Sequence, residues 1–440
     1  MKIIQSNKKK VNVKFNKKSN DIKISDKKII VGIKSIKKPS EWRELGFKLI
    51  QQMISNKFKN PVIPVPLNSK EFIEGLYLGA YKFDKYKSNP SKDIIKKVVL
   101  SNNKDDLTFV IDKAKTITSA QCLTRNWVNT SPEDANSSSI SDAVIKSFKD
   151  SKNVSVKIYN EKKLKKLNMR GHLAVNRASR HEAKTIKLTY TPSKKPKKTI
   201  LLVGKGLTYD SGGLSIKPGN HMVTMKADKA GAMTIWGIIK ALETLGSDYK
   251  VVAYMALAEN MIDGSAYKPD DVITMKNGKT VHIKNTDAEG RVVLFDNITL
   301  AEEENKGFDE LYTFATLTGA AVFQFGNEAT GMVGFNDKMK KHIKKVGLKE
   351  GEIFMNAEFH KYMLNGVDDD LADLTNTGTP GMGCQKAGLF LTNSLKKKNV
   401  KKYLHLDIAG PAFIEAPFGT NQKGGTGFGV RTFVNFLSKK

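Results

Sequence analysis

The chain has 440 residues, Lys+Arg 74 against Asp+Glu 44 for a formal net charge of +30, and 40% hydrophobic residues. That length allows about two or three domains, and the apolar share excludes wholesale disorder. Two cysteines, Cys122 and Cys384, lie far apart; they exclude a disulfide framework and a cysteine-rich zinc site and fit a reducing compartment.

The amino terminus, Met1 to Lys10, is polar and basic with no apolar stretch of the kind a signal peptide needs. No run approaches the roughly 18 apolar residues of a membrane span. The expectation is a soluble, cytoplasmic protein with no membrane partner. The basic excess starts early, with 13 basic and 2 acidic side chains over residues 1–40. Only seven of the cations are arginines, as biased codon usage would leave them, yet a field of this sign attracts polyanions whatever its origin.

Residues 1–115 read as a small, Lys-rich α/β domain. Strand-like runs occur at Lys28–Ile33 and Lys97–Leu100, and helical patterning at Glu41–Ile54 and Phe72–Tyr81. Asp106 to Trp127 looks helical, so 116–135 are assigned to a connecting helix and the opening of a second domain over 136–440. There, β-branched or apolar runs (Val154–Tyr159, Thr185–Tyr190, Thr199–Val203, Lys250–Leu257, Glu310–Ala315, Tyr403–Leu406) alternate with helical stretches. The latter are Lys229–Leu245, Arg291–Glu304, Lys338–Val346, Ala387–Lys397 and Gly427–Phe436. The alternation argues for an α/β domain with a largely parallel or mixed sheet. Lys194-Lys-Pro-Lys-Lys198, between two strand candidates, reads as a polar hairpin loop, with a nuclear-targeting or nucleic-acid-binding patch as the alternative.

Two segments carry the chemistry. One runs from Val203-Gly-Lys-Gly-Leu-Thr-Tyr-Asp210 through Ser-Gly-Gly-Leu-Ser-Ile-Lys217 to Met225-Lys-Ala-Asp228. The other is Asn285-Thr-Asp-Ala-Glu-Gly-Arg291. Both are expected to follow strands and lead to helices, and ligands in open α/β sheets collect at the carboxyl ends of strands. The crevice would hold Asp210, Asp228, Asp287, Glu289, Lys205, Lys217 and Arg291. Four carboxylates in one pocket repel each other and raise some pKa values. Divalent cations relieve this: such sites suit manganese, magnesium or zinc, and two metals about 3.5–4 Å apart can share carboxylates. None of the seven histidines has HExxH spacing.

Other readings compete. Gly204-Lys-Gly206 with Gly212-Gly213 suggests a phosphate loop, but GxxxxGK[ST] and GxGxxG spacings are missing. Ser211 lacks the GxSxG elbow of a nucleophile. Asp287 or Glu289 alone would read as a helix cap.

Asn285-Thr-Asp-Ala-Glu-Gly-Arg291 resembles the signature of the leucyl aminopeptidase family. The first segment resembles that family's corresponding stretch, as do Ala315-Thr-Leu-Thr-Gly-Ala320, His405-Leu-Asp-Ile-Ala-Gly410, Gly425-Thr-Gly-Phe-Gly-Val430 and Arg125-Asn-Trp-Val-Asn-Thr-Ser-Pro132. The likeness covers roughly residues 120–438.

The resemblance implies a small N-terminal α/β domain, a larger α/β/α catalytic domain with a central mixed sheet, and a metal-dependent aminopeptidase. Its tighter metal site would use Lys205, Asp210, Asp228 and Glu289; the exchangeable one Asp210, Asp287 and Glu289 with the Asp287 carbonyl. The cofactors would be two divalent ions, Mn2+ or Zn2+, sharing a bridging hydroxide. Lys217 would stabilise the oxyanion, and the planar fork of Arg291 would hold a bicarbonate base. Met225, Thr316, Leu317 and Gly319 would line the substrate pocket. Substrates would be peptides with a free amino terminus, and the assembly a homohexamer. Departures from the family pattern include Lys229-Ala230-Gly231 after Asp228 and Lys386 within Gly381–Gly388. A different class, a nucleic-acid-associated basic protein on the same scaffold, rests on the charge; its binding would be non-specific.

Overall fold

A computed structural model of the chain describes residues 1–6, 12–19, 21–25, 28–66, 69–101 and 106–439; part of the basic Met1–Lys10 run lies outside them. The chain divides into two units. The first comprises Met1–Cys122, Lys349–Gly351 and Ala416–Gln422, and the second Leu123–Leu348, Glu352–Glu415 and Lys423–Lys440.

In the first unit Lys2–Ser6, Lys97–Ser101 and Val62–Pro64 form a parallel sheet. Val13–Asn16, Lys28–Gly32 and Ile22–Ser25 form a second, mixed one. The helices Pro39–Ser55 and Ser69–Gly79 pack with almost no gap: a Cβ on Gly46 would lie 2.2 Å from the Phe72 carbonyl oxygen. Arg43, 1% exposed, is buried with Glu74 and Glu350, each 2.7 Å from its guanidinium.

The second unit is built on eight strands: β1 Val154–Tyr159, β2 Lys184–Tyr190, β3 Thr199–Asp210, β4 Lys250–Asn260, β5 Glu310–Ala315, β6 Ala329–Val333, β7 Ile353–Asn356 and β8 Tyr403–Asp407. They form one mixed sheet in the order β7-β6-β8-β5-β3-β4-β2-β1. Strands β4, β3, β5 and β8 are parallel at its centre, and β2 runs antiparallel to β4. Side chains alternate across it as the pleat requires. Ile200, Leu202, Val251 and Ala253 face one core, beneath α1 (Ser137–Phe148), α2 (Ala230–Leu245) and later α5 (Val430–Leu437). Leu201, Val203, Val252 and Tyr254 face the other, beneath α3 (Glu289–Glu304) and α4 (Gly383–Thr392). This is the α/β/α arrangement with a central mixed sheet. Among the described residues no helix is long and apolar enough to cross a membrane.

Several expectations are corrected. The Thr199 strand runs on to Asp210, so Gly204-Lys-Gly206 lies inside a strand and cannot cradle a phosphate. Glycine disfavours strands, but here α2 lies directly against it: a Cβ on Gly204 would meet the Gly231 oxygen at 2.6 Å. Lys194–Lys198 is not a hairpin loop, because β4 lies between β2 and β3; it crosses the end of β4, where the Lys197 amide donates to the Asp248 carbonyl. Lys197 and Lys198 also pair with Asp248 and Glu310 at 2.6 Å. The helix expected over Ala387–Lys397 is Gly383–Thr392; the Ser394 hydroxyl takes the Leu391 carbonyl at 2.6 Å and helps end it.

Across β3 and β4 the register slips: Ala258 faces Leu207 but Asn260 faces Asp210. Strand β3 thus carries one extra residue, a β-bulge that resets which face its side chains take.

His172 is fully buried beneath α3, its Nε2 donating to the Leu257 carbonyl at 2.8 Å and its Nδ1 accepting from the Asn297 amide at 3.1 Å. Burial pushes it down to about 4 from 6.5, a difference worth on the order of 3 kcal/mol. The unfolded chain takes up a proton as pH falls through 6.5 while the fold does not. The stability gained by neutral burial is therefore complete above 6.5 and lost on falling towards 4. His172→Gln is expected to destabilise at pH 7.5, with the deficit shrinking steadily by pH 4.5 in urea titrations. A deficit independent of pH would contradict this account.

Candidate functional site

Because β3, β4, β5 and β8 are parallel, their carboxyl ends share one edge, where ligands collect in such sheets. Asp210 ends β3, Asn260 ends β4, Thr316 follows β5 and Asp407 ends β8. Lys205 sits five residues before Asp210 within β3, and the bulge between them brings both to the same cluster.

Asp210 is followed by a sharp turn. Its Oδ1 accepts from the Gly212 amide at 2.9 Å, and Gly212 has a φ of +87°. The Lys217 amide closes the loop on the Ser211 carbonyl at 3.0 Å. The Ser211 hydroxyl donates to the Asn260 carbonyl at 2.8 Å, a structural bond that explains this serine without a nucleophilic role. Asp228 stands on the single helical turn Met225–Lys229 that leads into α2. On the other side, Asn285 caps the turn Thr286–Ala288 by accepting from the Asp287 amide at 2.7 Å. The cap is therefore Asn285, which leaves the Asp287 and Glu289 carboxylates to pair with Lys217 and Lys205.

These loops bring the expected acids together with two lysines. Lys205, 3% exposed, lies 2.9 Å from Asp228 Oδ1, 2.8 Å from Glu289 Oε1 and 2.9 Å from the Thr316 carbonyl oxygen. Lys217 lies 2.8 Å from Asp210 Oδ2 and also donates to Asp287 Oδ1. Ligand atoms of Asp210, Asp287 and Glu289 fall within 4.8 Å of one another. Asp228 is outside that trio and bonds Lys205 and the Thr316 hydroxyl instead.

The electrostatics follow from burial. Desolvation, and then Asp210, push Glu289 above the usual carboxylate range, against the pull of Lys205. Asp228 and Asp287 rise for the same reason, each resisted by its lysine. Burial alone would lower Lys205, but Asp228 and Glu289 outweigh it and hold its ammonium charged; Asp210 and Glu289 do the same for Lys217. Arg291 is lowered to about 10 by burial. Its Nη1 donates to the Asn376 carbonyl at 2.8 Å, while its Nε has no hydrogen-bond partner among the described residues.

Of the expected pocket residues, Thr316 is committed to Asp228 and Lys205, and the Leu317 amide donates to Asp407 at 3.1 Å. Met225 is half-buried beside Asp228, and Gly319 is exposed at the start of a short helix. Three residues that shape the site had no role assigned from the sequence, although Asp407 lies within the His405–Gly410 segment. Asn260 donates to Asp210 Oδ1 at 2.8 Å and to the Thr286 carbonyl at 3.1 Å; a polar Glu259-Asn260 pair closing an apolar strand was its available signal. Asp407 holds the loop after β5, accepting also from the Thr318 hydroxyl at 2.7 Å. Asn376 binds the Asn285 turn and has no signal in its short polar surroundings.

An open mixed sheet that gathers buried carboxylates and lysines at the carboxyl ends of its parallel strands defines an α/β enzyme. Residues 122–434 match the cytosol aminopeptidase family, catalytic domain. A probable cytosol aminopeptidase of Campylobacter jejuni is 38% identical over 428 residues, covering 94% of this chain and 88% of its own. One of Helicobacter hepaticus is 38% identical over 405 residues, covering 90% and 84%. Among solved structures, the bottromycin maturation enzyme BotP in complex with Mn superposes with a TM-score of 0.86 at 27% identity, over 95% of this chain and 92% of that one. A tomato leucine aminopeptidase mutant superposes at 0.84 and 27%, over 95% and 83%. The chain belongs to the cytosol aminopeptidase family, and is thus a hydrolase acting on peptide bonds.

A side chain at Gly212 would have its Cβ 2.5 Å from the Ser215 oxygen and 2.9 Å from the Lys217 nitrogen, at a φ that L residues rarely adopt. Such strain costs about 1–3 kcal/mol. Gly212→Ala is therefore expected to lower denaturant stability by that amount and to cut hydrolysis of aminoacyl amides by at least about tenfold. Wild-type rates would show that the turn tolerates displacement of Lys217.

Proposed function

We propose that this chain removes amino-terminal residues from peptides with the help of two divalent metal ions, Mn2+ or Zn2+. One observation carries the reading: four buried or half-buried carboxylates converge with two lysines on one edge of the sheet. The residues fit such ions. Among the described residues Asp228 Oδ2 and Glu289 Oε2 are buried without a hydrogen-bond partner, and a buried carboxylate oxygen left unmatched is costly unless a cation satisfies it. Lys205, Asp210, Asp228 and Glu289 would hold the tighter ion. Asp210, Asp287 with its carbonyl, and Glu289 would hold the exchangeable one.

When bound, the ions supply Lewis acidity that lowers the pKa of water and polarises the scissile carbonyl. The chain's own groups do the rest. Lys205 must give up its proton to become a ligand, so metal uptake is coupled to proton release. Lys217 would keep its proton and stabilise the oxyanion that develops on the carbonyl. Arg291, anchored through Nη1, would offer its remaining donor edge to a small oxyanion; bicarbonate there would serve as the base. Asp228 would receive the substrate's free α-amine. Met225, Thr316, Leu317 and Gly319 are assigned to the pocket, and the family resemblance supports a cytoplasmic homohexamer.

Hydrolysis of an aminoacyl-amide panel with added Mn2+ or Zn2+, against a chelated control, tests the reading; equal rates with and without chelator would refute it. Glu289→Ala and Asp287→Ala are expected to abolish activity with the fold retained. Full activity in metal-loaded Glu289→Ala protein would overturn the two-metal assignment. Lys217→Ala is expected to lower kcat by at least about 10²-fold, the usual cost of one oxyanion donor, at unchanged metal content. Loss of metal with an unaltered rate per bound ion would make Lys217 a ligand instead.

A further inference from the structure

Asn376, fully buried, follows the two-residue strand Leu374–Thr375 that pairs in parallel with Thr280–His282. Its amide donates to the His282 carbonyl at 3.1 Å, continuing that ladder. Beyond this point the side chain takes over. Its Oδ1 accepts from the Lys284 amide at 2.9 Å and the Asn285 amide at 3.4 Å, and its Nδ2 donates to the Asn285 carbonyl at 2.6 Å. Only a carboxamide offers a donor and an acceptor side by side in this way. The side chain thus acts as one more peptide group of the ladder, set against the backbone two residues before Asp287. The carbonyl of the same residue accepts from Arg291 Nη1 at 2.8 Å.

One residue therefore fixes both ends of the Asn285–Arg291 segment. From its side chain it holds the turn that presents Asp287 and Glu289. From its backbone it sets which edge of the Arg291 fork stays free. We propose that Asn376 is a positioning residue that locks Arg291 and the Asp287–Glu289 turn into a single unit, so that the anion site and the metal ligands are placed together. The part concerning Arg291 rests on the aminopeptidase chemistry proposed above; the part concerning the turn rests only on Asp287 and Glu289 holding a divalent ion.

The test uses full-length protein and two readouts. Calorimetric titration of metal-free protein with Mn2+ is expected to show binding about tenfold weaker in Asn376→Ala, and unaltered binding in Arg291→Ala. Kinetics with an aminoacyl amide are expected to show kcat down about tenfold in Asn376→Ala with KM within about twofold. In the Arg291→Ala background at saturating Mn2+ the same substitution should lower kcat by a clearly smaller factor than in the wild type, because residues acting as a unit are not additive. An unchanged Mn2+ midpoint, or an undiminished effect in the Arg291→Ala background, overturns the proposal. If Asn376→Ala fails to fold by circular dichroism, Asn376→Ser, which keeps a smaller donor and acceptor, is read by the same criteria. If the wild-type protein cleaves no aminoacyl amide, the aminopeptidase reading fails and the Mn2+ titration alone decides the proposal.

Discussion

Lys205 stands with its ammonium between Asp228 and Glu289, almost without solvent. Desolvating an ion costs several kcal/mol even after relaxation, and only good geometry with opposite charges offsets it. The surrounding structure meets that demand in detail. Strand β3 is long enough to carry the lysine inside the sheet, and glycines before and after it let α2 lie close. The start of α3 brings Glu289 up from the opposite side of the sheet to α2, with Gly290 leaving room for the lysine's end: a Cβ there would lie 2.6 Å from Nζ. Two apolar cores, one on each face, hold these elements against the repulsion of the acids they carry.

Around that pair the polar residues form a scaffold rather than a collection of separate contacts. Thr286 exchanges hydrogen bonds with Ser215 through both its amide and its hydroxyl, and its hydroxyl also donates to the Gly212 carbonyl. Asn260 and Tyr267 both donate to the Thr286 carbonyl. The loop after β3 and the turn before α3 are thus stitched edge to edge, and the acids at their tips have little freedom to drift apart. Preorganisation of this kind spares the reaction the cost of gathering charge when substrate arrives.

The mixed α/β architecture was legible in the alternation of apolar runs and helical stretches, and the acids of the site in their clustering within two short segments. What stayed hidden depended on tertiary contact. Gly204 and Gly206 read locally as a loop because the helix that rests on them is distant in sequence. Lys194–Lys198 read as a hairpin because nothing in the chain says that β4 inserts between its neighbours. Ala329–Val333, carrying a glycine and two small or polar residues, lacks the apolar run that marks a strand, though it is buried throughout. Asn376 and Asp407 work by bonding backbone groups far away, and such pairings leave no periodic trace.

The bulge in β3 has a further meaning for how this segment tolerates change. Strand side chains alternate, so residues five apart would ordinarily project to opposite faces; Lys205 and Asp210 reach the same face only because one surplus residue lies between them. Substitutions at Thr208 or Tyr209 alter packing, but removing one of them would rotate Asp210 into the opposite apolar core while every functional residue remained present. Spacing here is a chemical requirement in its own right, and this stretch should accept replacement far more readily than insertion or deletion.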